Sequence, residues 1–297
     1  MILCIGEILA DLIGEKNKDG INFGAFTGGA PFNVAVNAKQ SGAKVGFIGR
    51  VGKDPIGKFV TEFAENVGFD YLDIQKDGIR NTTLAFVTLT DGERDFAFFR
   101  HDTADFNMNA EEIDLEKYDG LNIVHLGSLM LSEEKGREFA RETVKKIRAS
   151  GKILSFDVNF RMDLYDNIGQ AVAAYKPFVE EADILKFSDD EITAFTGETD
   201  LNGAIAALEK KDRLLLITLG SRGSMYVYNG FSGIVPTEKV KPVDTTGAGD
   251  AFFGATLAYL DGKDFKKGIS VEDIENALKA GNKAGAAATQ FKGAIKL

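Results

Sequence analysis

The chain has 297 residues, of which 44% are hydrophobic and 27% are charged, a composition typical of a soluble globular protein with one large α/β core and a small appendage. Its formal net charge of −10 disfavours nucleic acid and anionic membranes as partners, because both are bound through neutralisation of their phosphates. No stretch approaches the ~18 apolar residues of a membrane span, and Glu7 and Asp11 interrupt the first apolar run too early for a signal peptide, so we expect a cytoplasmic protein.

Short β-rich runs alternate with amphipathic segments along most of the chain. Continuous apolar runs of strand length predict strands buried on both faces at 2–5, 45–48, 122–126, 153–157, 184–187 and 214–219. Amphipathic segments predict helices at 56–67, 133–149, 169–181 and 203–210. This alternation predicts an α/β fold with a central, mostly parallel sheet and helices on both faces.

Two segments depart from this alternation. Residues 9–26 and 82–100 are both predicted to form antiparallel hairpins, the second because β-formers and apolar residues alternate along it, among them Thr83, Ala85 and Phe98. The second hairpin is predicted to turn at residues 90–93. Such an exposed small sheet could pair with a second copy of the chain, which leaves a homodimer open.

A glycine-rich loop precedes a long apolar helix near the carboxyl end of the sequence. Gly247, Ala248 and Gly249 lead through Asp250 into an apolar run at 251–260. Such a loop presents unpaired backbone N–H groups and the positive end of a helix dipole to an anion. Asp250 would repel a phosphate there unless it accepts the proton of the attacking hydroxyl, as phosphoryl transfer to an alcohol requires. The alternative is an aspartate that the helix dipole stabilises in a structural turn.

This loop resembles the second signature of the ribokinase/PfkB family of sugar kinases, and residues 28–38, 42–43 and 49–57 resemble the first. The resemblance extends over nearly the whole chain and is greatest to fructokinases. It implies one kinase domain over residues 1–297, with a ribokinase-like fold and a small β lid formed discontinuously by about 9–27 and 82–104. It also implies a magnesium-dependent transfer of phosphate from ATP to a sugar, with Asp250 as base and residues 247–249 as anion hole.

The resemblance further implies which residues hold the sugar. On the amino-terminal side these are Asp11, Gly28, Gly29 and Asn33. From the residues alone, Asp11 could be a solvated turn carboxylate and Asn33 a helix cap. The second group follows the lid and a buried strand: Arg100, Asn159 and Arg161. An arginine at the carboxyl end of a parallel strand lies where open α/β sheets place their ligands.

The nucleotide side and the metals are assigned by the same resemblance. The nucleotide positions are Lys186, Ser188, Thr218, Gly220, Gly223 and Asn282. Glu191 matches the position that holds Mg²⁺ through water, although a first-turn helix acid is the alternative. Asp244 and Thr246 match positions that bind a monovalent cation such as K⁺ in many relatives.

The remaining reactive side chains are expected to be structural. Cys4 lies in an apolar strand and predicts a buried, inert thiol, and the two histidines, His101 and His125, are too far apart in the sequence to suggest a metal site. The sequence therefore predicts an ATP-dependent fructokinase. A kinase for 2-keto-3-deoxygluconate is the nearest alternative, ribokinase and nucleoside kinase follow, and a non-catalytic sugar or nucleotide sensor is the alternative from another class.

Overall fold

The computed structural model describes residues 1–18, 20–90 and 93–297. Within these ranges, nine strands form the main sheet: β1 (Ile2–Ile5), β4 (Val45–Gly52), β5 (Tyr71–Asp77), β8 (Ile123–Leu126), β9 (Ile153–Asp157), β10 (Ile184–Ser188), β11 (Leu214–Thr218), β12 (Ser224–Tyr228) and β13 (Phe231–Val235). Four strands form a small sheet: β2 (Leu9–Asn17), β3 (Gly20–Gly28), β6 (Leu84–Thr90) and β7 (Glu93–Phe99). The α-helices are α1 (Ala30–Gln40), α2 (Pro55–Val67), α3 (Glu134–Ala149), α4 (Ile168–Glu181), α5 (Asp189–Thr196), α6 (Leu201–Leu208), α7 (Ala248–Leu260) and α8 (Val271–Ala288).

The main sheet is parallel except at one edge. Its strand order is β13-β12-β11-β10-β9-β8-β1-β4-β5, and β1 pairs in parallel with both β4 and β8. Only β12 and β13 run antiparallel to their neighbours. The predicted α/β fold is confirmed, and each predicted strand and helix is present with ends that shift by at most a few residues.

Helices cover both faces of this sheet, as the side chains of β1 show, because they alternate between two cores on opposite faces. Ile2 and Cys4 pack into a core formed with α1, α2, α7 and α8. Leu3 and Ile5 pack into a second core on the opposite face, formed with α3, α4, α5 and α6. Because both faces are buried, β1 is apolar at every position. The thiol of Cys4 is fully buried, as predicted, and burial raises its pKa, which agrees with the expected lack of reactivity.

The small sheet joins the two predicted hairpins side by side. Its order is β3-β2-β6-β7, with antiparallel pairing inside each hairpin. A parallel pairing of β2 with β6, in which Ala10 lies opposite Leu84, connects them. Of the predicted turn at 90–93, residues 91 and 92 lie outside the described residues. No helix in the described ranges is both long and apolar enough to cross a membrane.

Helix α7 packs unusually closely against α1, and a glycine makes this approach possible. A Cβ atom at Gly254 would lie 2.6 Å from the carbonyl oxygen of Val34 and 2.8 Å from the Cβ of Asn37. Both distances are shorter than van der Waals contact, and the first involves backbone that cannot move away. Gly254 therefore sets the distance between α7 and α1, the two helices that begin at the functional site.

We expect Gly254→Ala to lower the free energy of unfolding by about 1–3 kcal/mol, because overpacking outweighs the gain in helix propensity. The matched control is Gly203→Ala in α6, where the nearest atom is the mobile carboxylate of Glu198. This control should be neutral or stabilising by about 0.5–1 kcal/mol. Urea denaturation of both variants measures the difference, and equal stability would contradict the packing argument.

Candidate active site

The carboxyl ends of four parallel strands meet the first turn of α7 at one cavity. Its volume is about 450 Å³, within the range of small-molecule sites. The predicted site residues that line it are Asp11, Gly29, Asn33, Asn159, Arg161, Lys186, Ser188, Glu191, Thr218, Thr246, Gly247, Gly249 and Asp250. The small sheet covers this cavity with Leu9, Ile13, Phe26, Ala85 and Phe98.

The first turn of α7 contains the loop that the sequence predicts to bind an anion. Gly247 caps the helix with φ 74°, and a Cβ atom there would lie 2.6 Å from the Cβ of Ala294, so both the backbone angle and the space require glycine. Ala248 and Ala251 donate their N–H groups to Thr245 and Gly247. Among the described residues, Ala251 makes the first i→i−4 bond of α7, so the N–H groups of Gly249 and Asp250 come before the hydrogen-bond ladder of the helix begins. They are the groups that a helix start offers to phosphate.

Asp250 lies in this first turn with its carboxylate at the cavity wall. Its Oδ2 accepts a hydrogen bond from Nδ2 of Asn33, at 2.8 Å, across 217 residues of sequence. Burial raises the pKa of Asp250 to about 7, although the Asn33 bond and the nearby Lys186 and Arg161 act in the opposite direction. A carboxylate with this pKa is matched to proton transfer near neutral pH. The raised pKa agrees with the general-base role predicted for Asp250, which stays a prediction.

A buried ion pair faces Asp250 across the cavity. Nζ of Lys186 lies 2.9 and 2.8 Å from the two carboxylate oxygens of Asp157, and both side chains are almost completely buried. Burial alone would lower the pKa of Lys186, but Asp157, Glu191 and Asp250 outweigh it and keep the pKa raised. The ammonium also lies 3.5 Å from the Cβ position of Gly249. A fixed positive charge thus stands beside the anion-binding turn.

The predicted sugar-binding residues Asp11, Asn33, Asn159 and Arg161 line the same cavity as Asp250. Burial raises the pKa of Asp11 to about 6, with Arg161 acting against it. Nε of Arg161 and Oδ1 of Asn33 are buried and have no hydrogen-bond partner among the described residues. Buried polar groups without partners are uncommon, so these atoms indicate a ligand that supplies them. Asn159 adopts φ 38° at the wall, and Gly28, which ends β3, is not among the lining residues.

Glu7 is a cavity residue that the sequence analysis did not assign. It is 1% exposed, lines the cavity directly after β1, and its Oε2 has no partner among the described residues. Burial raises the pKa of Glu7 to about 8, partly opposed by Arg100, so the group is largely neutral at pH 7. Its position at the carboxyl end of a buried parallel strand was the available signal.

Arg100 is not brought to the cavity surface. Its guanidinium pairs with Asp105 and donates through Nη1 to the carbonyl of Leu129 and the hydroxyl of Ser132, at 2.7 and 2.9 Å. It lies behind the cavity wall that Leu129 forms. A direct contact between Arg100 and the sugar therefore stays a prediction.

A second cavity adjoins the first and carries the remaining nucleotide positions. Ser188, Thr218 and Gly249 line both cavities, so the two meet at the first turn of α7. The second cavity adds the predicted residues Gly220, Gly223, Ala248 and Asn282. Nδ2 of Asn282 donates to the carbonyl of Val235 at 2.9 Å, which ties α8 to β13 at this cavity.

Glu191 and Asp244 are both engaged by backbone N–H groups. Glu191 accepts from Ser188 at 2.7 Å and from Phe160 at 2.9 Å, and Ser188 caps α5 in return. Asp244 is buried and accepts from the N–H groups of Thr246 and Gly293 at 2.7 and 3.0 Å. Both carboxylates therefore fix loops at the site.

The described residues contain no group of three or more His, Cys, Asp or Glu side chains able to hold a metal ion by themselves. His125 is buried against the ring of Phe253 and contacts the hydroxyl of Ser155. Burial lowers its pKa to about 3, so it stays neutral. This environment agrees with the structural role expected of His125.

Comparisons with known proteins agree with this geometry. The sequence matches the pfkB family of carbohydrate kinases over residues 1–297. It is 37% identical to the probable fructokinase-5 of Arabidopsis thaliana over 99% of this chain and 93% of that protein. The structure resembles that of a fructokinase with bound ATP from Xylella fastidiosa, with a TM-score of 0.88, 30% identity and coverage of 99% and 93% of the two chains. It also resembles a fructokinase from Vibrio cholerae O395 in fructose, ADP and calcium ion bound form, with a TM-score of 0.87, 30% identity and coverage of 99% and 94%.

The chain belongs to the pfkB family of carbohydrate kinases. Its two sheets and its helices form the ribokinase-like α/β fold of the related structures. The protein is therefore a phosphotransferase that acts on a sugar hydroxyl, and the predicted family, fold class and enzyme class are confirmed.

The raised pKa of Asp250 predicts that kcat/KM for the sugar falls as the pH drops below about 7, because a protonated carboxyl cannot accept a proton. The hydrogen bond from Asn33 favours the ionised form, so Asn33→Ala should move this acid limb upward by roughly one pH unit, about 1.4 kcal/mol. The pH dependence of kcat/KM for the sugar is measured for the wild type and for Asn33→Ala at saturating nucleotide, because the ionisation of the nucleotide then affects both pH profiles equally. Asn37→Ala, one helical turn further on, is the control. If the acid limb of the pH profile in Asn33→Ala lies at the same pH as in the wild type, the assignment of this limb to Asp250 is refuted.

Proposed function

We propose that this protein is an ATP-dependent fructokinase, which transfers the γ-phosphoryl group of ATP to the 6-hydroxyl of D-fructose. The observation that carries the proposal is the position of Asp250, a carboxylate of raised pKa in the first turn of α7, where the two cavities meet. A sugar in the first cavity and a nucleotide in the second would place hydroxyl and phosphate on either side of this turn. The fructokinase names of the related proteins, with ATP in one structure and fructose with ADP in another, support this choice.

The reaction transfers one proton and one phosphoryl group. Asp250 accepts the proton of the 6-hydroxyl as the oxygen of that hydroxyl forms a bond to the γ-phosphorus. The bond between this phosphorus and the bridging oxygen breaks, and the electron pair leaves with ADP. The N–H groups of Gly249 and Asp250 lie where charge is carried by the transferring group, and Lys186 adds a fixed positive charge beside them.

Holding the hydroxyl close to the phosphorus is the second task of the site. Asp11 and Asn33 offer acceptors and a donor to the sugar hydroxyls, and Arg161 supplies the unpaired Nε donor. Fixing both reactants in this way removes much of the entropic barrier to transfer. We propose that residues 9–27 and 82–104, which contain the small sheet, form a lid over the sugar, since side chains of this sheet already cover the cavity. Closure of the lid would exclude water from the reaction.

Magnesium and a monovalent cation belong to the proposal. The described residues contain no cluster of acidic side chains that could coordinate a metal directly. The site therefore fits a Mg²⁺ ion that arrives on the ATP phosphates and is held through water by Glu191. When bound, the ion would neutralise phosphate charge. We propose that K⁺ binds at Asp244 and Thr246. Asp244 is a buried carboxylate, and the loop that contains both residues leads directly into the anion-binding turn.

Two features bear on the alternatives. A non-catalytic sensor gains nothing from a carboxylate beside a phosphate, whereas a kinase requires one. A 2-keto-3-deoxygluconate kinase needs a free cation for the substrate carboxylate, and Arg100 is engaged with Asp105. Ribokinase and nucleoside kinase activity require neither arginine. A homodimer through the small sheet, which exposes Ile21, Phe23 and Phe99, remains part of the proposal.

A coupled assay of ADP release over fructose, ribose, 2-keto-3-deoxygluconate, glucose, mannose and nucleosides tests the substrate assignment. We expect the largest kcat/KM with fructose, because the cavity offers hydrogen bonds for a neutral sugar. Measurements at matched ionic strength are needed, since a charged substrate is also steered by the field of the protein. A kcat/KM that favours the acid sugar by more than ~10-fold, about 1.4 kcal/mol, would overturn the assignment to fructose.

We expect Asp250→Asn to lower kcat by ~10²–10⁴-fold while ATP still binds, because the side chain keeps its size and loses its basicity. Calorimetric titration with ATP checks the binding, and the coupled assay checks the turnover. The matched control is Asp119→Asn, an exposed residue before β8 at the opposite end of the sheet, which should leave both unchanged. Near-normal turnover in Asp250→Asn would exclude Asp250 as the base.

A further inference from the structure

A buried ion pair lies directly behind the sugar cavity and takes no part in the proposed mechanism. Asp105, in a 3₁₀ turn, pairs with Arg100, and the two side chains are 2% and 3% exposed. The guanidinium of Arg100 also caps the carbonyl of Leu129 and contacts the hydroxyl of Ser132. These bonds use all but one of the N–H groups that an arginine carries.

Asp105 is itself held in place by neighbouring groups. Its Oδ1 accepts hydrogen bonds from the hydroxyls of Thr83 and Thr103, at 2.6 and 2.7 Å, and its Oδ2 faces Arg100. Burial alone would raise the pKa of Asp105, but Arg100 and these hydroxyls outweigh it and keep the pKa lowered. The ring of Phe106 lies 3.8 Å from the guanidinium of Arg100. Asp105 is therefore ionised, and Arg100 is fixed on two sides.

The cavity wall in front of this pair includes Leu129, whose carbonyl accepts a hydrogen bond from Arg100. Leu129 and Glu7 line the cavity there, and Glu7, which is largely neutral, lies close enough for Arg100 to influence its ionisation. Without the pairing to Asp105, the buried guanidinium of Arg100 would have no carboxylate partner among the described residues behind this wall. A carboxylate on the sugar would be its natural partner, because a bidentate pair of this kind is strong.

We propose that Asp105 is a specificity-determining residue, which favours neutral sugars by holding Arg100 away from the cavity and so withholding the cation that a carboxylate-bearing sugar would need. This inference rests on the proposed fructokinase function. Arg161 remains in the cavity, but Asp11 and Asp250 lie within its electrostatic reach and compete for its charge. Specificity then arises because a sugar that carries a carboxylate finds no free cation to pair with it.

The test measures the ratio of kcat/KM for 2-keto-3-deoxygluconate to kcat/KM for fructose. In Asp105→Asn, which keeps the shape and removes the charge, we expect this ratio to rise at least ~10-fold over that of the wild type. Arg100 also acts on the ionisation of Glu7, so Glu7→Gln/Asp105→Asn, which removes this second acid, should raise the ratio further. The gain should disappear in Arg100→Gln/Asp105→Asn, because it depends on the released guanidinium.

A matched control uses the same substitution three residues earlier. Asp102 is exposed and pairs with Arg80 instead of Arg100, so Asp102→Asn should leave the ratio unchanged. A ratio measured on one preparation does not depend on the fraction of folded enzyme, so it reports even on a destabilised variant. If Asp105→Asn does not fold, Asp105→Ser, which is uncharged and keeps a hydroxyl for Thr83 and Thr103, replaces it.

The outcomes separate this inference from the proposed function. A wild type that prefers the acid sugar would refute the proposed function, and this inference with it. A wild type that prefers fructose, together with an unchanged ratio in the Asp105 variants, would refute this inference alone. A gain that persists without Arg100 would also overturn it, because the effect would then arise from general loosening of the cavity.

Discussion

The proposed mechanism requires a carboxylate beside the path of a phosphoryl group, and the arrangement of the site can be understood from this conflict. Asp250 lies in the first turn of α7, whose N–H groups are proposed to bind the anion, and burial raises its pKa to about 7. If Asp250 were fully ionised and alone, it would repel the phosphate, and if it were permanently protonated, it could not act as a base. The bond from Asn33 and the charges of Lys186 and Arg161 favour its ionised form, so that the base is available near neutral pH.

The same requirement explains the close packing around α7. The position of Asp250 relative to Asn33 depends on the distance between α7 and α1, which Gly254 sets. The anion-binding turn is fixed from the other side by the tight approach of Gly247 to Ala294 and by the bonds that Asp244 accepts. Local backbone geometry, helix packing and electrostatics thus converge on one carboxylate, as preorganised catalysis requires.

Charge is arranged differently at the cavity and behind its wall. At the cavity, Lys186 is paired with Asp157, and Arg161 acts on the ionisation of both Asp11 and Asp250. Behind the wall, Arg100 is paired with Asp105, and burial keeps the pKa of Glu7 raised. The two cations that line the cavity therefore act on the carboxylate of Asp250, whereas Arg100 is held away from the cavity.

The sequence by itself determined the strands, the helices and the anion-binding loop, because apolar periodicity and glycine-rich turns are local properties. Residues such as 2–5 and 247–250 carry their structural signal within a few neighbours. Only the tertiary structure decided that Asn33 meets Asp250, that β2 pairs with β6, and that Arg100 turns to Asp105 instead of the cavity. It also revealed Glu7, whose pKa is raised mainly by burial and further by the nearby Asp105 and Asp250. Burial and the choice of charge partner depend on groups brought together from distant parts of the chain, so no local pattern could specify them.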